Sequence, residues 1–125
     1  MRQNMFCYQC EQTAGCSGCT GKAGVCGKNA QVAALQDELT GALIGLARAT
    51  DGDTLPDETT GKLVIEALFT TMTNVSFDED SIRHCIQRVR QEKARLVPEC
   101  SSCSSPCGRN DEYNMANLWQ AQEDI

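Results

Sequence analysis

Eight of the nine cysteines fall into two short runs. Cys7, Cys10, Cys16, Cys19 and Cys26 open the chain, and Cys100, Cys103 and Cys107 lie near its other end. Only Cys85 stands apart. Thiols crowded in this way suit metal ligation better than disulfide staples, which usually link distant loops in even number. Cys7-Tyr8-Gln9-Cys10 is a C-x2-C pair, whose turn can aim two thiols at one centre. Cys19 and Cys26 follow after eight and six further residues. Four thiolates complete the ligand set of a 4Fe–4S or 2Fe–2S cluster, and equally that of tetrahedral zinc.

Spacing favours the cluster over zinc without excluding zinc. Zinc ribbons usually pair two C-x2-C knuckles, and the last two thiols here form none. Five of the ten glycines lie in the same run: Gly15, Gly18, Gly21, Gly24 and Gly27. Glycine lets the backbone turn tightly and bring N–H groups against a bulky inorganic body. Cys16 also forms a C-x2-C pair with Cys19, so a set with Cys16 in place of Cys10 stays open on spacing alone.

A loop without apolar periodicity needs a scaffold, and helical patterning follows it. Leu35, Leu39, Ala42, Leu43 and Leu46 recur at three- and four-residue steps, with Gln36, Asp37 and Arg48 off the stripe. That predicts a helix from about Asn29 to Thr50, closed by the turn Asp51-Gly52-Asp53. A second helix is expected from Pro56, capped by Thr54, to about Asn74, with Val64, Leu68 and Met72 as its buried stripe. A third is expected from Asp78 or Asp80 to Leu96, stopped by Pro98. Ile82, Ile86, Val89 and Leu96 share its apolar face. Residues 99–110 form a second Cys loop, and a fourth helix starts near Asn110-Asp111 and runs through Trp119. The expected class is all-α: a cluster-binding loop over 1–28, a three-helix bundle over 29–98, and a Cys-rich loop with the start of a fourth helix over 99–125.

The 125-residue length suits one domain, and a net charge of −6 with no basic stripe argues against nucleic-acid binding. No stretch of about 18 or more apolar residues occurs, so no membrane helix is expected. Met1-Arg2-Gln3-Asn4 opens no signal-peptide pattern, which points to a cytoplasmic protein. The lone histidine, His84, reads as a solvent-edge or packed residue rather than a ligand. Cys85 reads as a small core thiol. Phe6 and Tyr8 flank the first Cys pair, where shielding of the site and simple packing explain them equally. The acidic run from Asp51 to Glu58 is a solvated turn. Cys100, Cys103 and Cys107 need a fourth ligand to hold metal and read more readily as unmetallated thiols. No Gly-rich phosphate loop and no Ser-His-Asp set is present.

The flanking residues carry a resemblance. Met5-Phe6-Cys7-Tyr8-Gln9-Cys10-Glu11-Gln12-Thr13, Gly18-Cys19-Thr20 and Gly24-Val25-Cys26-Gly27-Lys28 resemble the N-terminus of the hybrid cluster proteins. These prismane proteins, or hydroxylamine reductases, are related to the nickel carbon monoxide dehydrogenases. Leu35-Gln36-Asp37, Gly45-Leu46 and Leu68-Phe69-Thr70-Thr71-Met72-Thr73-Asn74 extend the resemblance over most of the chain. It implies a 4Fe–4S cluster, or in some members a 2Fe–2S cluster, on Cys7, Cys10, Cys19 and Cys26, with Cys16 outside the ligand set. It implies an electron-transfer role, with a redox donor, the remaining domains of a longer protein and a second subunit as partners. The family reduces hydroxylamine or nitric oxide at a hybrid iron–sulfur–oxygen cluster. The His, Glu and Cys ligands of that cluster come from later domains, so the resemblance implies that this chain has no substrate site of its own.

Overall fold

The computed structural model describes residues 5–50, 56–72 and 77–96. They form an all-α bundle of three helices: α1 (Ala30–Ala49), α2 (Glu58–Thr71) and α3 (Glu79–Leu96). A short 3-10 turn, Ala14–Cys16, interrupts the opening loop. Isolated backbone bridges, Cys7 with Cys19 and Ala23 with Asn29, are the only β-type pairing among the described residues. No helix described is long and apolar enough to cross a membrane.

Each helix start has a local cause. Asn29 caps α1 by accepting a hydrogen bond from the Val32 N–H at 2.8 Å, so loop and helix meet at a fixed angle. Asp57 caps α2 through the Thr60 N–H at 2.8 Å. The cap is therefore Asp57, and Pro56 lies before the helix rather than in its first turn. Pro56 still suits that place, since its fixed φ and missing N–H cost nothing outside the helix. Asp78 accepts from the Ser81 N–H at 3.0 Å where α3 begins. The expected Thr54 cap, the Asp51–Asp53 turn, the Asn74 stop, the Pro98 stop and the fourth helix lie outside the described residues.

One core joins the helices. Leu35, Leu39, Ala42, Leu43 and Leu46 of α1 meet Ile82, Cys85, Ile86 and Val89 of α3, with Leu63 and Ala67 from α2. Gln36, expected off the stripe, is fully buried. The buried face of α2 also differs from the expected one. Thr60, Leu63 and Ala67 turn inward, Val64 packs at the margin, and Leu68 and Met72 are 51% and 55% exposed. Thr60 and Ala67 are small enough for α2 to pack against both other helices, and Ile65, Leu68 and Phe69 of α2, with Met72 just after it, stay in water.

Ion pairs bridge the helices at the rim. Arg88 grips Glu66 through two bonds of 2.6 and 3.0 Å, and Arg90 reaches Glu38 at 2.9 Å. Arg95 bonds Asp57 at 2.7 Å and Glu92, while the Thr60 hydroxyl also donates to Glu92. The α2 cap is thereby tied to the last turn of α3. Exposed pairs of this kind contribute about 0–1 kcal/mol each, so they orient the helices more than they hold them.

Candidate metal centre

The opening loop is held by few backbone bonds, and most involve a cysteine or its neighbour. The Cys7 N–H donates to the Cys19 carbonyl at 3.0 Å, and the Cys19 N–H donates to the Cys7 carbonyl at 2.8 Å. Two residues directly opposed in an antiparallel pair carry their side chains on one face. Thiols twelve positions apart are thus set side by side. The Thr13 N–H bonds the Cys10 carbonyl, which curls the chain after the C-x2-C pair. Gly24 N–H to Lys28 carbonyl, 2.7 Å, closes the turn that presents Cys26.

Two glycines are required here. Gly18 sits at φ +96°, and a Cβ added there would lie 2.8 Å from the Phe6 ring. Gly27, just after Cys26, sits at φ +88°. Both conformations are ones that side-chain-bearing residues rarely adopt. The loop is anchored to α1 by a small apolar cluster of Met5, Cys19 and Ala33, with Cys7 and Ala30 at its edge.

Cys7, Cys10, Cys19 and Cys26 all line one pocket, together with Gln9, Gln12, Thr13, Gly24, Val25 and Lys28. The cavity between them is small, about 10 Å³. Cys16 does not line it: this thiol is exposed, on a residue at φ +57°. None of the six described cysteines is in a disulfide. Among the described residues, no three His, Cys, Asp or Glu side chains converge as ligands of one ion.

The donor set suits an iron–sulfur cluster. Four thiols are the right number and the right softness. Thr13 Oγ1 is buried with no protein partner and belongs to a pocket-lining residue. A hydroxyl so placed has a proton to offer a sulfide or thiolate. Lys28 is 1% exposed, and its Nζ lies 3.5 Å from Cys7 Sγ and 3.0 Å from Gln9 Oε1. Sequence reading noticed Gln9, Gln12, Thr13 and Lys28 only as flanking residues and gave them no role. A lysine two positions after a cysteine carries no signal of burial.

Phe6 packs on Gly18, and the exposed Tyr8 donates from its hydroxyl to the Cys16 carbonyl at 3.3 Å. Neither aromatic lines the pocket. His84 is exposed on α3. Cys85 is buried in the core, and burial pushes its thiol pKa up. Cys100, Cys103 and Cys107 lie outside the described residues.

Asp37 adds a pH dependence. Burial raises its pKa from 3.8 to about 6, against the pull of the Lys28 charge. A raised carboxyl binds a proton more tightly in the folded chain, so stability falls as pH rises from about 4 to 6 and stays lower above. Asp37→Asn should therefore gain stability at pH 7. An unscreened shift of about two units would carry about 3 kcal/mol, and partial exposure reduces the expected gain to about 1 kcal/mol. Urea unfolding at pH 7 and pH 4 checks this: the gain should vanish at pH 4, and an equal gain at both would contradict it.

Comparison with known proteins identifies the family. The Prismane/CO dehydrogenase family model matches residues 5–125. The chain belongs to that family. Among curated relatives, it is 46% identical to hydroxylamine reductase 2 of Clostridium acetobutylicum, over 75% of this chain and 18% of the relative. It is 50% identical to the hydroxylamine reductase of Syntrophobacter fumaroxidans, over 74% and 17%. With that of Desulfovibrio desulfuricans it shares 38% identity over 98% of this chain and 22% of the relative. The chain thus spans about a fifth of the length of these relatives.

Proposed function

We propose that this chain is the electron-transfer domain of a hydroxylamine-reductase-like protein of the cytoplasm. On this reading Cys7, Cys10, Cys19 and Cys26 hold a 4Fe–4S cluster. The observation that carries it is the gathering of four thiols from one short run of the chain on one pocket, with Cys16 of the same run left outside it. Bound there, the cluster supplies reversible one-electron storage. Substrate reduction belongs to the remainder of the longer protein, at a hybrid cluster for which this chain offers no ligands.

The chain's own residues do three things. The Cys7–Cys19 backbone pair and the Gly24–Lys28 turn fix where the thiolates point. Thr13 Oγ1 offers a proton to a sulfur in the pocket. The rim leaves Val25 63% exposed and Cys7, Cys10 and Cys26 half-buried, which suits electron exchange with a redox donor or a second subunit.

Iron, sulfide and zinc analysis of anaerobically prepared chain is the test. The expected protein is brown, with about four irons and four sulfides per chain. Its broad visible absorbance should bleach with dithionite. A colourless chain carrying one zinc would overturn the reading in favour of a structural module. Hydroxylamine turnover by this chain alone, with a reduced dye, would contradict the assignment of substrate chemistry elsewhere.

A further inference from the structure

We infer that Lys28 is a positioning and tuning residue of the metal centre, its buried ammonium holding the Cys7 thiolate and favouring the reduced cluster. The inference rests on the cluster reading above.

A lysine is rarely fully buried, because its charge loses hydration unless another group replaces it. Lys28 is 1% exposed, and both acceptors in hydrogen-bond range of its Nζ belong to pocket-lining residues. Gln9 Oε1, 3.0 Å away, is neutral and fixes the direction of the ammonium. Cys7 Sγ, 3.5 Å away, is the one that becomes negative on binding metal. Asp37 on α1 also feels the Lys28 charge and, with a pKa of about 6, is ionised at neutral pH, so it shares the buried cation with the Cys7 thiolate that the ammonium touches. A cluster on four thiolates is anionic, and each electron added makes it more so. A fixed positive charge touching one thiolate therefore stabilises the reduced form more than the oxidised one. Because that charge is buried, solvent ions screen it little.

The test compares wild type with Lys28→Met, which keeps the bulk, and Lys28→Arg, which keeps the charge. Iron content is measured first, and the midpoint potential is then read by EPR during a dye-mediated titration. Circular dichroism checks the helices, whose core does not include Lys28. Lys28→Met should hold iron and shift the reduced-to-oxidised ratio at fixed potential toward oxidised at least tenfold. That is about 59 mV for one electron. Lys28→Arg should stay within threefold of wild type. If only Lys28→Met fails to load iron, the charge is needed for assembly, which also supports the inference. A Lys28→Met midpoint within threefold of wild type overturns it. Loss of iron from both variants overturns it too, because shape and not charge would then be at work. A wild type without iron instead sinks the cluster reading itself.

Discussion

Cys7→Ser, Cys10→Ser, Cys19→Ser and Cys26→Ser are each expected to lose most of the iron, while Cys16→Ser keeps it. The first four thiols line the pocket, and Cys16 is exposed outside it. A serine hydroxyl is a hard, poorly ionised donor where iron–sulfur chemistry wants a soft thiolate. Even changes to groups that only hydrogen-bond a ligand cost about 10–100-fold in metal affinity, so a lost ligand should cost more. Cys19→Ser carries a second penalty, since Cys19 packs with Met5 and Ala33 where the loop meets α1. Iron per chain and absorbance near the cluster bands give the readout. If Cys16→Ser bleaches the protein while Cys10→Ser does not, the ligand assignment is wrong.

Leu39→Ala should destabilise the bundle by about 3 kcal/mol, within the range for emptying a fully buried leucine site. Leu39 is 0% exposed at the centre of the three-helix core. Against a typical total of about 5–15 kcal/mol, that is a large fraction. Leu68→Ala is the control. Leu68 is half in water, so its loss should stay within about 0.5 kcal/mol. Urea midpoints by circular dichroism separate the two. Equal losses would mean that the outward face of α2 is covered in solution.

That control marks where sequence pattern ran out. The α3 stripe was legible because that helix offers one clear apolar face, while α1 gave up its leucines but not Gln36. α2 offers two apolar faces. Leu63, Val64, Ile65, Ala67, Leu68, Phe69 and Met72 crowd its surface, and periodicity alone selects the bulkier set. Packing against two neighbours selects Leu63 and Ala67 instead, with Thr60 admitted because Glu92 accepts from its hydroxyl and Arg95 donates to it. Gln36 was misjudged for the same reason: amide polarity says nothing about which helix lies opposite. At the metal centre the cysteines announced themselves by type and spacing. The side chains that complete the pocket did not, since a buried threonine hydroxyl and a buried lysine look ordinary in a sequence. Their role comes from the turn at Gly24–Lys28 and the curl after Cys10, which only the folded backbone defines.

The reciprocal amide bonds between Cys7 and Cys19 have a consequence for how metal is loaded. Bringing two chain segments together costs entropy, and a flexible loop would draw that cost from the affinity for the metal. Here the loop from Tyr8 to Gly18 is closed by its own backbone, so on the proposed reading two of the four thiols would stand paired before any metal arrived.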